Sequence, residues 1–236
     1  MRIALLAFLG LHVAHALWLN GRQGAAAPDR KNRAGLYLIQ VPLFVVACLI
    51  AYQNGALGRA LLNPVCIAAG LVLGHVIFVL SLLLVHGSAR DAREVLLGFG
   101  AIWEFAIESP LILSRYVGVA VTEEVIYRAA GQQTLIAYLR TPWAGIAAVA
   151  VLFSVVHAHF FRNTFSQSLE FVVFAVLLGV LYWLTGSLIF VIAVHAIRNI
   201  EIAYLEFLGK LEELGDEEAA LREVEHSVLQ RQSGLA

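Results

Sequence analysis

Charge is what this chain has least of. Asp, Glu, Lys and Arg make up only 14 % of its 236 residues, where a soluble globular domain carries about 25 %. The net charge is −1, with no basic stripe or block, and that excludes nucleic acid as a partner. Lysine is nearly missing: Lys31 and Lys210 stand against fourteen arginines, a bias that hints at a GC-rich bacterial genome. Cysteine is scarce too. Cys48 and Cys66 lie singly inside apolar runs without CxxC spacing, so they read as small buried hydrophobes. That spacing excludes a disulfide framework and a cysteine-based metal site. No internal repeat and no low-complexity segment is present.

What the chain does have is apolar length. Hydrophobic residues make up 60 %, mean hydropathy is +0.80, and apolar runs of about 17–25 residues recur, each long enough to cross a ~30 Å hydrocarbon core. The first is Ile3 to Leu19, read as an uncleaved helix rather than a signal peptide because further spans follow at once. Others run from about Gly35 to Tyr52 and Leu61 to Val85, with Pro42 and Pro64 near their starts. Glu94 to Glu108 is short, bounded by acids and stopped at Ser109-Pro110, so it is expected in the membrane interface. A charged helix from Leu111 to Leu139 follows. Thr141-Pro142-Trp143 opens the next span, with proline in the first turn. The last spans are Ala144 to Phe161, Leu169 to Leu184 and Leu188 to Leu208. The fold class is an all-α polytopic membrane bundle of about seven to eight transmembrane helices. It divides into N-terminal membrane helices (1–110), a core (111–208) and an acidic, helical, soluble tail (209–236). Ala25 to Ala27 fall in a polar loop.

Ionisable residues inside a membrane cost about 3 kcal/mol or more and usually face a polar interior. Here they converge. Glu123, Glu124 and Arg128 share one helix, His157 sits in the next span, and His195 and Asn199 in the last. Glu124 and Arg128 are four apart, on one face, and can pair. Glu123 points about 100° away from Glu124, so the two are not expected to serve the same partner, which leaves one carboxylate free. Phe153 and His157 share a face, as do His195 and Asn199. A free Glu, two His and an Asn are the parts of a hydrolytic site: a carboxylate to activate water and donors for a developing oxyanion. Taken singly, each has a blander reading. A Glu–Arg pair clamps helices, a lone membrane His is often a satisfied core residue, and Asn199 can bond a neighbouring helix. Their joint spacing weighs against coincidence.

These residues carry a resemblance. EEVIYR (Glu123 to Arg128), FSVVH (Phe153 to His157) and HAIRN (His195 to Asn199) resemble the EExxxR, FxxxH and HxxxN motifs of the CAAX protease and bacteriocin-processing (CPBP) family of intramembrane proteases. The motifs occur in the family's order across about Leu111 to Leu208. The resemblance implies that Glu123 is the catalytic glutamate holding water with His157. It implies that His195 and Asn199 stabilise the oxyanion, and that Glu124, Arg128 and Phe153 support the site. It further implies an endopeptidase acting near the C-terminus of a membrane-anchored or lipidated protein in contact with membrane lipid. A myxosortase-like bacterial member of the inner (plasma) membrane fits best.

Two His and a Glu also suit a zinc hydrolase, which would use Glu123, His157 and His195. HExxH is absent and Asn is a poor zinc ligand, so the favoured reading has no cofactor and keeps zinc as the alternative. A non-enzymatic immunity or scaffold protein is the rival of a different class. A proton-coupled transporter is weakened by the missing repeat. His12, His15 and His75 read as structural, His159 as pointing away from His157, and His86 and His226 as loop and tail. Glu104 and Glu108 read as interfacial. Counting positive residues on each side favours seven spans, an outside N-terminus and a cytoplasmic tail.

Overall fold

Proline, glycine and short polar side chains set the helix limits. The computed structural model describes residues 1–22, 30–58, 63–85 and 87–233; Ala25 to Ala27, Arg59 and His86 lie outside them. In chain order the helices are α1 (Arg2–Arg22), α2 (Arg30–Gln53), α3 (Pro64–Leu84), α4 (Ala89–Leu97), α5 (Phe99–Glu108) and α6 (Pro110–Glu124). A π-helical segment, Val125–Gln132, continues α6 into α7 (Gln133–Leu139), followed by α8 (Pro142–Val155), α9 (Phe165–Thr185), α10 (Leu188–Leu214) and α11 (Glu217–Ser233). Asn63 caps α3 by accepting from the Val65 and Cys66 amides, with Pro64 at the first position. Thr164 and Gln167 form a reciprocal cap on α9, and Ser187 caps α10. Gly186 and Gly215 end α9 and α10 with φ of 62° and 66°, a conformation that L side chains resist.

Four of these helices are long and apolar enough to cross a membrane: α1, α3, α9 and α10. A fifth span arises if α5 and the bent continuation Pro110–Leu139, which meet at 101°, count as one. Tyr37–Gln53 and Pro142–Val155 are shorter apolar helices. The described residues therefore supply fewer full-length spans than the seven to eight expected. Part of the reason is local: α8 stops at Val155, well short of the Phe161 end read from hydropathy, because the chain turns at His157. The segment expected as one helix from Glu94 to Glu108 is two, broken at Gly98, and it ends at Ser109-Pro110 as expected.

α10 is the axis of the fold. Its membrane window is 72 % buried, where α3 and α9 reach 39 % and 33 %. Close approach of α3 depends on Gly70 and Gly74, four apart. A Cβ on Gly70 would lie 2.5 Å from the Phe190 carbonyl oxygen, and one on Gly74 2.4 Å from Ile197 Cγ2. Small residues at this spacing let membrane helix backbones meet where no hydrophobic force drives association. The tail folds back as α11, whose Ala220, Val224 and Val228 form a buried stripe at helical spacing. They pack with Ile112 of α6 and Phe207 of α10 in a cluster separate from the main one, which gathers α1, α2, the π segment, α8 and α9. Ser109 binds Glu225, and Ser227 donates to Glu206 at 2.8 Å.

Candidate active site

The π segment positions the first motif. All eight of its residues are buried, and widened turns of this kind are rare and frequently found at functional sites. Two of its polar side chains reach across the bundle: Arg128 donates to the Ala175 carbonyl at 3.3 Å and Gln132 to the Gly179 carbonyl at 2.9 Å. The Asn54 amide reaches the segment's own Ala129 carbonyl at 3.3 Å. Hydropathy gave no sign of the widened turn, since an α-helix and a π turn of the same composition read alike.

Glu124 and Arg128 pair as the spacing implied, with Oε2 3.2 Å from Nε and both side chains fully buried. The other carboxylate oxygen of Glu124 lies 2.8 Å from His195 Nδ1, a contact over 71 residues of sequence that helical spacing could not supply. Glu123 approaches the other ring nitrogen of the same His195, so the two carboxylates do share a partner, contrary to the helical expectation. Its Oε1 is 3.5 Å from His157 Nε2 and its Oε2 3.7 Å from His195 Nε2, with 15 % of the side chain exposed. So the carboxylate not claimed by Arg128 stands between two imidazoles, each presenting its Nε2 edge.

His157 reaches this place by a different local structure from the one expected. It is not in the helix with Phe153 but just beyond it, extended at φ −87° and ψ 118°, before a 3₁₀ turn at Ala158–Phe161. Its Nδ1 lies 2.6 Å from the Phe153 carbonyl oxygen, where an Nδ1–H donor satisfies one of the free carbonyls at the end of α8. That bond turns Nε2 toward Glu123. The Phe153 ring packs against both histidines, with centroids 4.6 Å from His157 and 6.1 Å from His195. Arg128 lies 5.1 Å above the same ring.

A cavity of about 690 Å³ opens onto this group, lined by Glu123, His157, His195 and Asn199 together. The size falls in the usual range for ligand pockets, about 300–1,000 Å³. All four residues singled out for chemistry thus meet in one space, with Phe153 in its wall and Glu124 and Arg128 behind it. Among the described residues no group of three or more His, Cys, Asp or Glu has the arrangement to hold a metal ion. No step below passes through a metal.

His159, expected to point away, lines the cavity with its ring 5.4 Å from His157, because the chain forms a 3₁₀ turn there and not an α-helix. Arg198, Glu170 and Asp91 also line it. Arg198 lies inside HAIRN, and its charge within a span was the signal that could have marked it. His75, read as structural, has a buried partner, its Nδ1 2.5 Å from Glu201 Oε1. His15 stacks on Trp18, and His12 is buried on α1.

Residues 105–200 match the family model described as type II CAAX prenyl endopeptidase Rce1-like. The match covers less than half of the chain and includes every residue of the three motifs. No curated protein and no solved structure matches.

Proposed function

We propose that this membrane chain, whose residues 105–200 match the family model described as type II CAAX prenyl endopeptidase Rce1-like, is a protease with a metal-free glutamate mechanism at Glu123. The substrate is a membrane-anchored or lipidated protein cleaved near its C-terminus, and a bacterial, myxosortase-like role is the reading we favour. The observation that carries the proposal is the separation of the two adjacent glutamates. Glu124 is engaged on both oxygens, in an ion pair with Arg128 and a hydrogen bond with His195, while the oxygens of Glu123 stand 3.5 Å from His157 and 3.7 Å from His195 and face the cavity.

In this mechanism water sits between Glu123 and His157 Nε2. Glu123 takes a proton as the water oxygen attacks the scissile carbonyl carbon, and the carbonyl π electrons move to oxygen. His157 is locked by its bond to the Phe153 carbonyl, so its Nε2 stays aimed at the water. His195, with Nδ1–H directed at the Glu124 carboxylate, presents Nε2–H to the oxyanion, and the Asn199 amide is the second donor. Collapse of the tetrahedral intermediate expels the amine, which takes the proton from Glu123. The rival reading, a scaffold, requires no such proton transfer.

The test compares membrane proteomes of cells holding the native chain, the Glu123→Gln chain or none, with C-terminal peptides mapped. A processed C-terminus that appears only with the native chain is expected. If Glu123→Gln processes as well as the native chain, Glu123 is not the base.

A further inference from the structure

The acidic tail reaches the cavity. Val228 of α11 lines the same space as Glu123 and His195, although α11 lies outside the matched residues 105–200. On α10 the lining runs from His195 through Asn199 to Leu205, about 15 Å of helix, and on α6 it runs from Glu123 back to Tyr116. Both walls lead away from the reacting groups, toward the start of α6 and the second half of α10, and α11 docks there. Glu225 meets Ser109, the residue that caps α6, and Ser227 donates to Glu206 of α10 at 2.8 Å. One helix therefore bridges the two walls at the end of the cavity far from Glu123.

The two halves of α11 are held differently. Ala220 and Val224 are fully buried in the cluster with Ile112 and Phe207. Beyond Val224, Val228 is the one buried apolar side chain among the described residues, and the polar hold includes the two hydroxyl–carboxylate bonds. His226 and Leu229 are exposed. Val228 borders open cavity as well as packed side chains, so its release leaves no new void in the core. A segment with few buried apolar contacts, held by side-chain bonds, is the part of a fold that opens most readily. We propose that the far half of α11, from Glu225 onward, is a strap across the cavity mouth that must come away before a protein segment reaches Glu123. Docked, it keeps the hydrolytic groups closed off; released, it admits the substrate, as lids do in many enzymes. The near half stays anchored through Ala220 and Val224. The consequence for catalysis rests on the proposed hydrolysis at Glu123, but the opening of the strap is measurable without catalysis.

Two measurements on the full chain, with Cys48→Ala and Cys66→Ala, decide it. In lipid nanodiscs, nitroxide labels attached through Leu229→Cys and through Val173→Cys of α9, both exposed positions, report the place of the strap by pulsed electron paramagnetic resonance. This chain also carries Glu123→Gln, so no turnover contributes. Two distance populations are expected, and adding Glu225→Ala with Ser227→Ala should shift weight to the longer one several-fold. A single distance that the added changes leave unmoved overturns the proposal. Should the double change prevent folding, Ser227→Ala alone takes its place, with the same shift expected. In the second measurement Glu206→Cys and Ser227→Cys are bridged by a short bis-methanethiosulfonate reagent, and C-terminal processing is mapped in membranes of cells that lack the native chain. Bridging should abolish processing, and reduction of the bridge should restore it. Processing that continues unchanged with the bridge in place overturns the proposal. If the unbridged chain processes nothing, the hydrolytic reading fails and the resonance measurement alone decides the strap.

Discussion

Two neighbouring glutamates, changed in the same isosteric way, are expected to fail in opposite manners. Glu124→Gln puts an amide where a fully buried carboxylate meets Arg128 Nε at 3.2 Å and His195 Nδ1 at 2.8 Å. The amide oxygen can accept from one of them, and the amide nitrogen then faces the other donor. Arg128 keeps its bond to the Ala175 carbonyl but loses the compensating charge in a site of zero exposure. Removing one partner of a buried pair costs about 3–5 kcal/mol, a large share of a total stability of about 5–15 kcal/mol. At this chain length that shifts the melting temperature by on the order of 10 °C. Glu123→Gln breaks no contact shorter than 3.5 Å to a basic group and should melt within about 2 °C of the native protein. Its cleavage rate should instead fall by about 10²–10⁴, the usual contribution of a general base. Melting of the detergent-solubilised proteins, together with processing of the C-terminus mapped in the membrane-proteome comparison, reads both quantities. Matching melting curves for the two variants would refute the assignment of Arg128 to Glu124, and a large loss of stability in Glu123→Gln alone would reverse it.

Gly74→Ala should lower stability by about 1–3 kcal/mol through overpacking, because its Cβ would lie 2.7 Å from the Val194 carbonyl oxygen as well as against Ile197; an unchanged melting curve contradicts the close α3–α10 contact. In the tail, Val224→Asp should deplete folded protein, since Val224 is fully buried and an unpaired buried charge is strongly disfavoured, while the neighbouring exposed Glu223→Ala should be neutral; equal yields of the two would show α11 undocked. Activity should persist in strong chelator, and stoichiometric metal whose removal abolishes and whose return restores cleavage would restore the zinc reading. A reporter enzyme active only outside the cytoplasm, fused after the tail, should stay silent, and activity there would invert the proposed topology.

The sequence alone determined the membrane class, the all-helical architecture and four of the polar residues that line the cavity, Glu123, His157, His195 and Asn199. Those readings rest on local quantities. Hydropathy over a span reports transfer into hydrocarbon, and three-, four- and one-residue spacings fix relative direction on a helix. That is why the Glu124–Arg128 pair was legible and why Glu123 could be separated from it. Tertiary structure decided what depends on contacts between distant segments. Glu124 grips His195, Arg198 leans on Glu170 and Phe174, and His75 finds Glu201; no spacing rule reaches across helices. It also decided where helical geometry stops. His157 and His159 lie beyond the end of α8, so helical periodicity misdirected His159 while the ring of His157 still met Phe153. The π segment follows the same logic, because its widened turns answer to the carbonyls of α9 and to Asn54. Composition says which groups must leave the lipid, and the packing of other helices says what each of them meets.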